Sequence, residues 1–165
     1  MQEQKPLKKQ DSKMSTFTQL QCDNDLKQII KAAFDTDLDI KGSWGYTQET
    51  ATTVLSAPVP LTQFEHMFAS MRAYVEMNMT LEQEDRYGSI NLNEVDREQI
   101  AIGNLLYDKV SYEVSGMNEK VYASFIAEYK DGYGTEGFDI TEHFEKRKEA
   151  TLKRKVTHWF EISTL

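Results

Sequence analysis

The chain has 165 residues, of which 27 are acidic and 19 are basic, so its net charge is −8. Aromatic residues make up 11% of it, which excludes a largely disordered protein. Its one cysteine excludes an internal disulfide, and no apolar stretch approaches the roughly 20 residues that cross a bilayer. We therefore expect a cytoplasmic protein.

The charged residues are distributed unevenly along the chain. Residues 1–13 carry four lysines against two acidic residues, and residues 146–165 carry six basic residues against two acidic ones. The span 14–145 holds nine basic and 23 acidic residues. Such a distribution constrains the partners that a protein attracts, even where no catalytic motif is present.

The N-terminal segment differs in composition from the rest of the chain. Leu7 is the only aliphatic residue before Met14, so this segment buries too little apolar surface to offset the entropy of ordering it. We expect residues 1–14 to form a flexible basic tail. Residues 15–165 have the length of one domain.

Three elements are predicted after the tail. Leucine and isoleucine residues at helical spacing predict a helix over 23–34, with Asp23 or Asn24 as its N-cap. Residues 37–46 alternate apolar and polar side chains, which is typical of a half-buried strand. A second strand is predicted over 51–56.

The clearest single element is a helix over 61–79. Thr62 and Glu65 have the spacing of a capping box, in which each side chain bonds the other's backbone amide. Met77 lies off the apolar stripe and, with Tyr74, is a candidate for a dimer or partner interface. The stripe itself comprises Phe64, Met67, Phe68, Met71, Tyr74, Val75 and Met79.

The second half of the chain begins with a predicted hairpin. The dipeptide Gly103-Asn104 separates two runs of strand character, 98–102 and 105–114, and is a typical two-residue turn. The other elements predicted here are a short strand over 89–92, a helix over 118–130, and a helix that begins at Asp139 with Glu142 as its capping-box partner. A last strand is predicted over 155–162, with His158 on its inward face.

The predicted order is helix, two strands, helix, two strands, two helices and one strand. Strand pairs joined by tight turns favour an antiparallel sheet, so we expect an α+β domain with about five mainly antiparallel strands and helices on one face. In architecture alone, this arrangement resembles secretion chaperones and other small adaptor folds. No motif accompanies the resemblance, and fold does not determine function.

Residues with catalytic or metal-binding potential are few. His66, His143 and His158 have nearby carboxylates but lack the spacing of metal ligands, so we predict no metal site and no cofactor. Cys22 shortly precedes the first helix, where a helix N-terminus lowers the pKa of a thiol. No phosphate-binding glycine loop occurs.

For a ligand or partner site, the sequence favours four residues. Trp44 and Tyr46 lie beside two glycines, which suggest a bulge or a close backbone approach near Trp44. His66 and Arg72 lie on the helix that follows. We expect these side chains to be neighbours if a pocket forms between the sheet and the helix over 61–79.

The basic run near the C-terminus is a second candidate site. Six of the ten residues from 146 to 155 are basic, and Lys153, Arg154 and Lys155 form a candidate docking patch for an acidic protein surface. No aromatic residue is interleaved with these charges, although Trp159 follows them, and the rest of the domain is acidic, so we do not expect nucleic-acid binding.

Two functions are compatible with these features. The first is a small acidic protein-binding domain, adaptor-like or chaperone-like, without catalytic activity and able to form a homodimer. The alternative is a small-molecule-binding domain or enzyme with a pocket between the sheet and the helix over 61–79. A flat exposed patch favours the first function, and a deep pocket with convergent polar groups favours the second.

Overall fold

The computed structural model describes residues 17–165, so the tail predicted over 1–14 lies outside the described residues. Within them the elements follow the predicted order. The helices are α1 (Leu26–Phe34), α2 (Leu61–Tyr74), α3 (Glu119–Gly132) and α4 (Ile140–Ala150). The strands are β1 (Ile40–Gly42), β2 (Thr52–Val54), β3 (Tyr87–Ile102), β4 (Leu105–Asn118) and β5 (Leu152–Glu161). None of the helices in this part of the chain is both long and apolar enough to cross a membrane.

The five strands form one sheet in the order β1-β2-β5-β4-β3. β1 and β2 pair antiparallel, with Ile40 opposite Val54, whereas β2 and β5 pair parallel, with Thr52 opposite Phe160. The prediction of a single α+β domain with about five strands is confirmed, but the sheet is mixed. The parallel pair joins strands that are distant in sequence, and a pattern of local turns cannot indicate it.

The residues of this domain group into two compact units, and several elements contribute to both. The first unit contains α3 and α4, and the second contains α1, β1 and β2. The first comprises Phe17, Ala73–Asn91 and Val114–Arg154; the second comprises Thr18–Arg72, Leu92–Glu113 and Lys155–Leu165.

The helix predicted over 61–79 changes geometry in its last turn. Val75–Met79 forms a π-helical turn, in which the Thr80 amide donates to the carbonyl five residues earlier, 3.1 Å away. A π turn holds more residues than an α turn, so it rotates the following side chains away from the predicted stripe. Met77 is therefore fully buried and Met79 is exposed, the reverse of the prediction.

The predicted N-cap is correct for α4 and wrong for α1 and α2. The Asp139 carboxylate accepts from the Glu142 amide at the start of α4, as predicted. The α1 cap is Asp25, one residue after the predicted candidates. The capping box of Thr62 and Glu65 is wrong, because α2 already includes Thr62 and the Glu65 carboxylate bonds a distant side chain instead.

β3 is one continuous strand of 16 residues, where two short strands were predicted. It is the last strand in the sheet order, so the described residues place no strand on its outer side. From Asn93 to Ile102 no side chain is buried, and Val95 is 52% exposed. Globular strands average about 5–6 residues, which makes this a long edge.

Candidate functional site

Trp44, Tyr46 and Arg72, three of the four residues predicted for a binding site, are neighbours in the second unit. Arg72 is buried, and its guanidinium donates to the carbonyls of Trp44 (3.2 Å) and Thr157 (3.0 Å). The guanidinium carbon lies 4.4 Å from the centroid of the Tyr46 ring. The Tyr46 hydroxyl accepts from the Leu20 amide (3.0 Å). These contacts hold loops to the sheet, so this cluster supports the fold.

His158, on β5, is also buried in the second unit. Its ring stacks on Phe160, with the centroids 4.1 Å apart, and its Nε2 lies 2.9 Å from the Thr52 hydroxyl. That hydroxyl donates to the Ser43 carbonyl (2.6 Å), so it accepts from His158 and the proton is on Nε2. Burial, reinforced by the positive charge of Arg72, holds the pKa of His158 well below its usual range. His158 is therefore a neutral core residue.

His66, the fourth predicted residue, lies elsewhere in the second unit. It is exposed on α2, with Nε2 3.0 Å from the Leu92 carbonyl and its ring edge-on to Tyr112. It lies six positions before Arg72, which places the two side chains about 120° apart around the helix, and the two make different contacts. The four predicted residues therefore do not form one site.

A polar cluster that the sequence analysis missed lies near His66. We call it the Arg97 cluster; it consists of Arg97 and Glu94 from β3, Glu65 from α2, and Asp108 and Tyr112 from β4. One guanidinium nitrogen of Arg97, Nη1, donates to Glu65 (2.8 Å) and to Asp108 (3.3 Å). Its Nε and Nη2 donate to the two oxygens of Glu94, at 3.0 and 2.9 Å. One guanidinium thus serves three carboxyl groups.

Glu65 is the most perturbed acid of this cluster. Its side chain is 0% exposed, and that burial raises its pKa to about 8. A hydrogen bond with Asp108 and the negative charge of that residue raise it further, while Arg97 opposes the rise. The neutral form of Glu65 is therefore favoured at pH 7. Glu65 and Asp108 both accept from the same Arg97 nitrogen.

Two polar atoms of the Arg97 cluster lack hydrogen-bond partners within the described part of the chain. They are Oε2 of Glu65 and the hydroxyl of Tyr112, both on fully buried residues. Burial, followed by the negative charges of Glu65 and Glu94, raises the pKa of Tyr112. Buried polar groups are normally hydrogen-bonded, so such atoms mark a place with unused binding capacity.

Sequence reasoning missed this cluster for a definite reason. Glu65 has the spacing of a capping box, and Arg97 follows it by 32 residues on a segment that reads as a polar loop or strand. The available signal was the position of Glu65, three residues before Phe68 and four before Ala69, which places this acidic residue on the buried side of the helix. A charged residue on an apolar face requires a partner from another element.

The remaining candidates for chemistry are His143 and Cys22. Nδ1 of His143, in the first unit, lies 2.9 Å from the exposed Glu128 carboxylate. The expectation for Cys22 is wrong, because burial raises the pKa of its thiol. In the described ranges, no three histidine, cysteine or acidic side chains come together as metal ligands.

The predicted docking patch is divided by its strand. Lys153 and Lys155 are exposed on β5, but Arg154 donates to the buried Glu76 carboxylate (2.9 Å) in the first unit. Its guanidinium also lies 4.6 Å from the centroid of the Phe17 ring. Residues 153–155 alternate sides, as in any strand, so the three charges do not form one surface.

Replacing Arg154 by alanine is expected to lower the free energy of unfolding by about 2 kcal/mol, because it removes a charged hydrogen bond from a buried carboxylate. Lys153→Ala, next to it on the exposed side, is expected to change that energy by less than about 0.5 kcal/mol. Urea denaturation of both variants measures the difference. Equal effects would show that the ion pair does not stabilise the fold.

Comparison of the chain with protein-family models, with curated proteins and with solved structures gives no match. The fold and the geometry of the Arg97 cluster and of β3 are therefore the basis for any functional proposal.

Proposed function

We propose that this protein is a binding domain that takes an extended, basic segment of a partner protein onto the outer edge of β3. The observation that carries the proposal is the exposure of this edge over the ten residues from Asn93 to Ile102. The backbone amides and carbonyls on the open side of an edge strand are a template for another strand.

The side chains of this segment give the edge a preferred partner. Glu94, Asp96 and Glu98 lie on it, with Arg97 as its only basic residue. Charges of one sign on an edge oppose pairing with an identical edge and favour a strand of the opposite sign. Val95 and Ile102, both exposed, offer apolar contacts to side chains of an incoming strand.

The alternative, a small-molecule site between the sheet and the helix predicted over 61–79, has one observation in its favour. Oε2 of Glu65 and the hydroxyl of Tyr112 lack hydrogen-bond partners in the described chain. Both residues are fully buried, however, and Trp44, Tyr46 and Arg72 use their polar groups within the fold. We therefore place the protein-binding function first.

The test uses a synthetic eight-residue peptide of alternating lysine and threonine, with a glutamate–threonine peptide as its control. We expect the lysine peptide alone to bind, to shift the amide NMR signals of residues 93–102, and to bind more weakly as salt is added. No binding, or shifts confined to another part of the chain, would contradict the proposal.

Proline substitution then tests whether backbone pairing is responsible. Neighbouring residues of a strand direct their amides to opposite sides, so one of Val95→Pro and Asp96→Pro removes a donor from the open side of β3. That variant is expected to stay folded and to bind the lysine peptide at least tenfold more weakly. If every folded variant binds as the parent does, side-chain charge alone accounts for the binding.

A further inference from the structure

The Arg97 cluster connects the exposed edge of β3 with two buried acids. Glu94 and Arg97 belong to the edge segment, and their side chains are 37% and 26% exposed. Behind them, the Arg97 guanidinium bonds Glu65 and Asp108, whose side chains are 0% and 4% exposed. A cation that approaches Glu94 is therefore separated from Glu65 and Asp108 only by the Arg97 guanidinium.

The charges in this cluster do not balance. Glu65, Asp108 and Glu94 are three carboxyl groups that share one guanidinium. With one proton on the buried pair, a single negative charge remains uncompensated, and loss of that proton would add a second. Oε2 of Glu65 has no hydrogen-bond partner among the described residues. The Gln99 side-chain amide, which donates to Asp108 (3.4 Å), is neutral and does not compensate this second charge.

We infer that a basic side chain of the bound segment is recognised at the Arg97 cluster, and that its binding releases the proton held by Glu65. This inference rests on the proposed function and identifies the contact that distinguishes a lysine-bearing or arginine-bearing strand from other strands. The cation replaces the proton as the charge that compensates the buried acids, and the proton passes to solvent.

The groups that face this cluster come from three elements. From α2 these are Glu65, His66 and Arg72; from β3, Glu94 and Arg97; and from β4, Asp108 and Tyr112. His66 is the histidine that faces this cluster: the hydrogen bond with Arg97 chiefly lowers the pKa of the Glu94 carboxyl, and the nearby His66 adds to that effect. A test of proton release therefore has to separate Glu65 from His66.

Calorimetric titration of the lysine–threonine peptide in two buffers of different ionisation enthalpy measures the protons released on binding. At pH 7 we expect the parent protein to release a substantial part of one proton, and its affinity to rise by up to tenfold per pH unit between pH 6 and 8. Glu65→Gln is expected to release none and to bind with little pH dependence. Gln keeps an oxygen that accepts from Arg97 and an amide that donates to Asp108.

Two further variants serve as controls. His66→Gln is expected to retain the proton release, and Glu98→Gln, on the same edge but outside the cluster, to change the affinity without changing that release. Binding without proton release, or release that disappears in His66→Gln and persists in Glu65→Gln, would overturn the inference and leave the proposed function standing. Absence of peptide binding at every pH would overturn both.

Discussion

Replacing Gly45 by alanine is expected to lower the free energy of unfolding by about 3–5 kcal/mol. Gly45 has φ +86°, a conformation that L-residues with a β-carbon rarely adopt. A β-carbon there would also meet the ring of His158 and the carbonyl of Trp159. The His158 ring cannot move away from this β-carbon, because it stacks on Phe160 and is hydrogen-bonded to Thr52. The substitution combines backbone strain with overpacking.

Gly103→Ala is the matched control for this prediction. Gly103 also has positive φ, +62°, but a β-carbon there would meet no atom within 4 Å. Backbone strain alone is expected to cost about 1 kcal/mol at this turn. Urea denaturation of both variants compares the two effects. If Gly45→Ala lowers the free energy of unfolding by no more than Gly103→Ala does, the structure can accommodate a β-carbon next to His158.

The close approach of Gly45 to His158 also shows where sequence reasoning was sufficient. Alternation over 37–46 and 155–162 correctly placed Trp44 and His158 facing inward on strand-like segments, and the two glycines indicated close backbone packing. Periodicity and turn dipeptides are local signals, and they recovered the order of the helices and strands. They carry no information on which distant strands become neighbours.

Errors arose where a non-local contact or a change of helical geometry controlled the outcome. The π turn at Val75–Met79 rotated Met77 into the core, although a constant helical period predicts it outside. Glu65 has the spacing of a local cap, yet its carboxylate bonds Arg97. Arg154 belongs to a run of basic residues, yet it pairs with the buried Glu76. In each case tertiary packing determines where the side chain lies and what it contacts, and a single sequence does not show that packing.

The buried acid gives the folded protein a distinctive dependence on pH. The pKa of Glu65 is about 8 in the folded state and close to its ordinary value of 4.5 in the unfolded chain. Between pH 4.5 and pH 8, Glu65 is therefore protonated in the folded protein and ionised in the unfolded chain. The stability contributed by this group is therefore complete below about pH 4.5 and declines as the pH rises towards 8.

Glu65→Gln removes this decline while keeping the shape of the side chain. We expect the variant to be more stable than the parent by an amount that grows from pH 4.5 to pH 8 and then levels off, on the order of 5 kcal/mol. His158, whose pKa is lowered by burial, contributes the opposite slope, a loss of stability as pH falls below its unfolded value. That contribution is common to both proteins and cancels in their difference.

Urea denaturation of the parent and of Glu65→Gln at half-unit steps from pH 5 to pH 9 measures this difference directly. Glu98→Gln is the control, because it removes an exposed carboxylate of the same strand, and its difference from the parent is expected to stay flat. A Glu65→Gln difference that does not change with pH would mean that Arg97 keeps Glu65 ionised in the fold. The Arg97 cluster would then hold no proton at neutral pH for a partner's cation to displace.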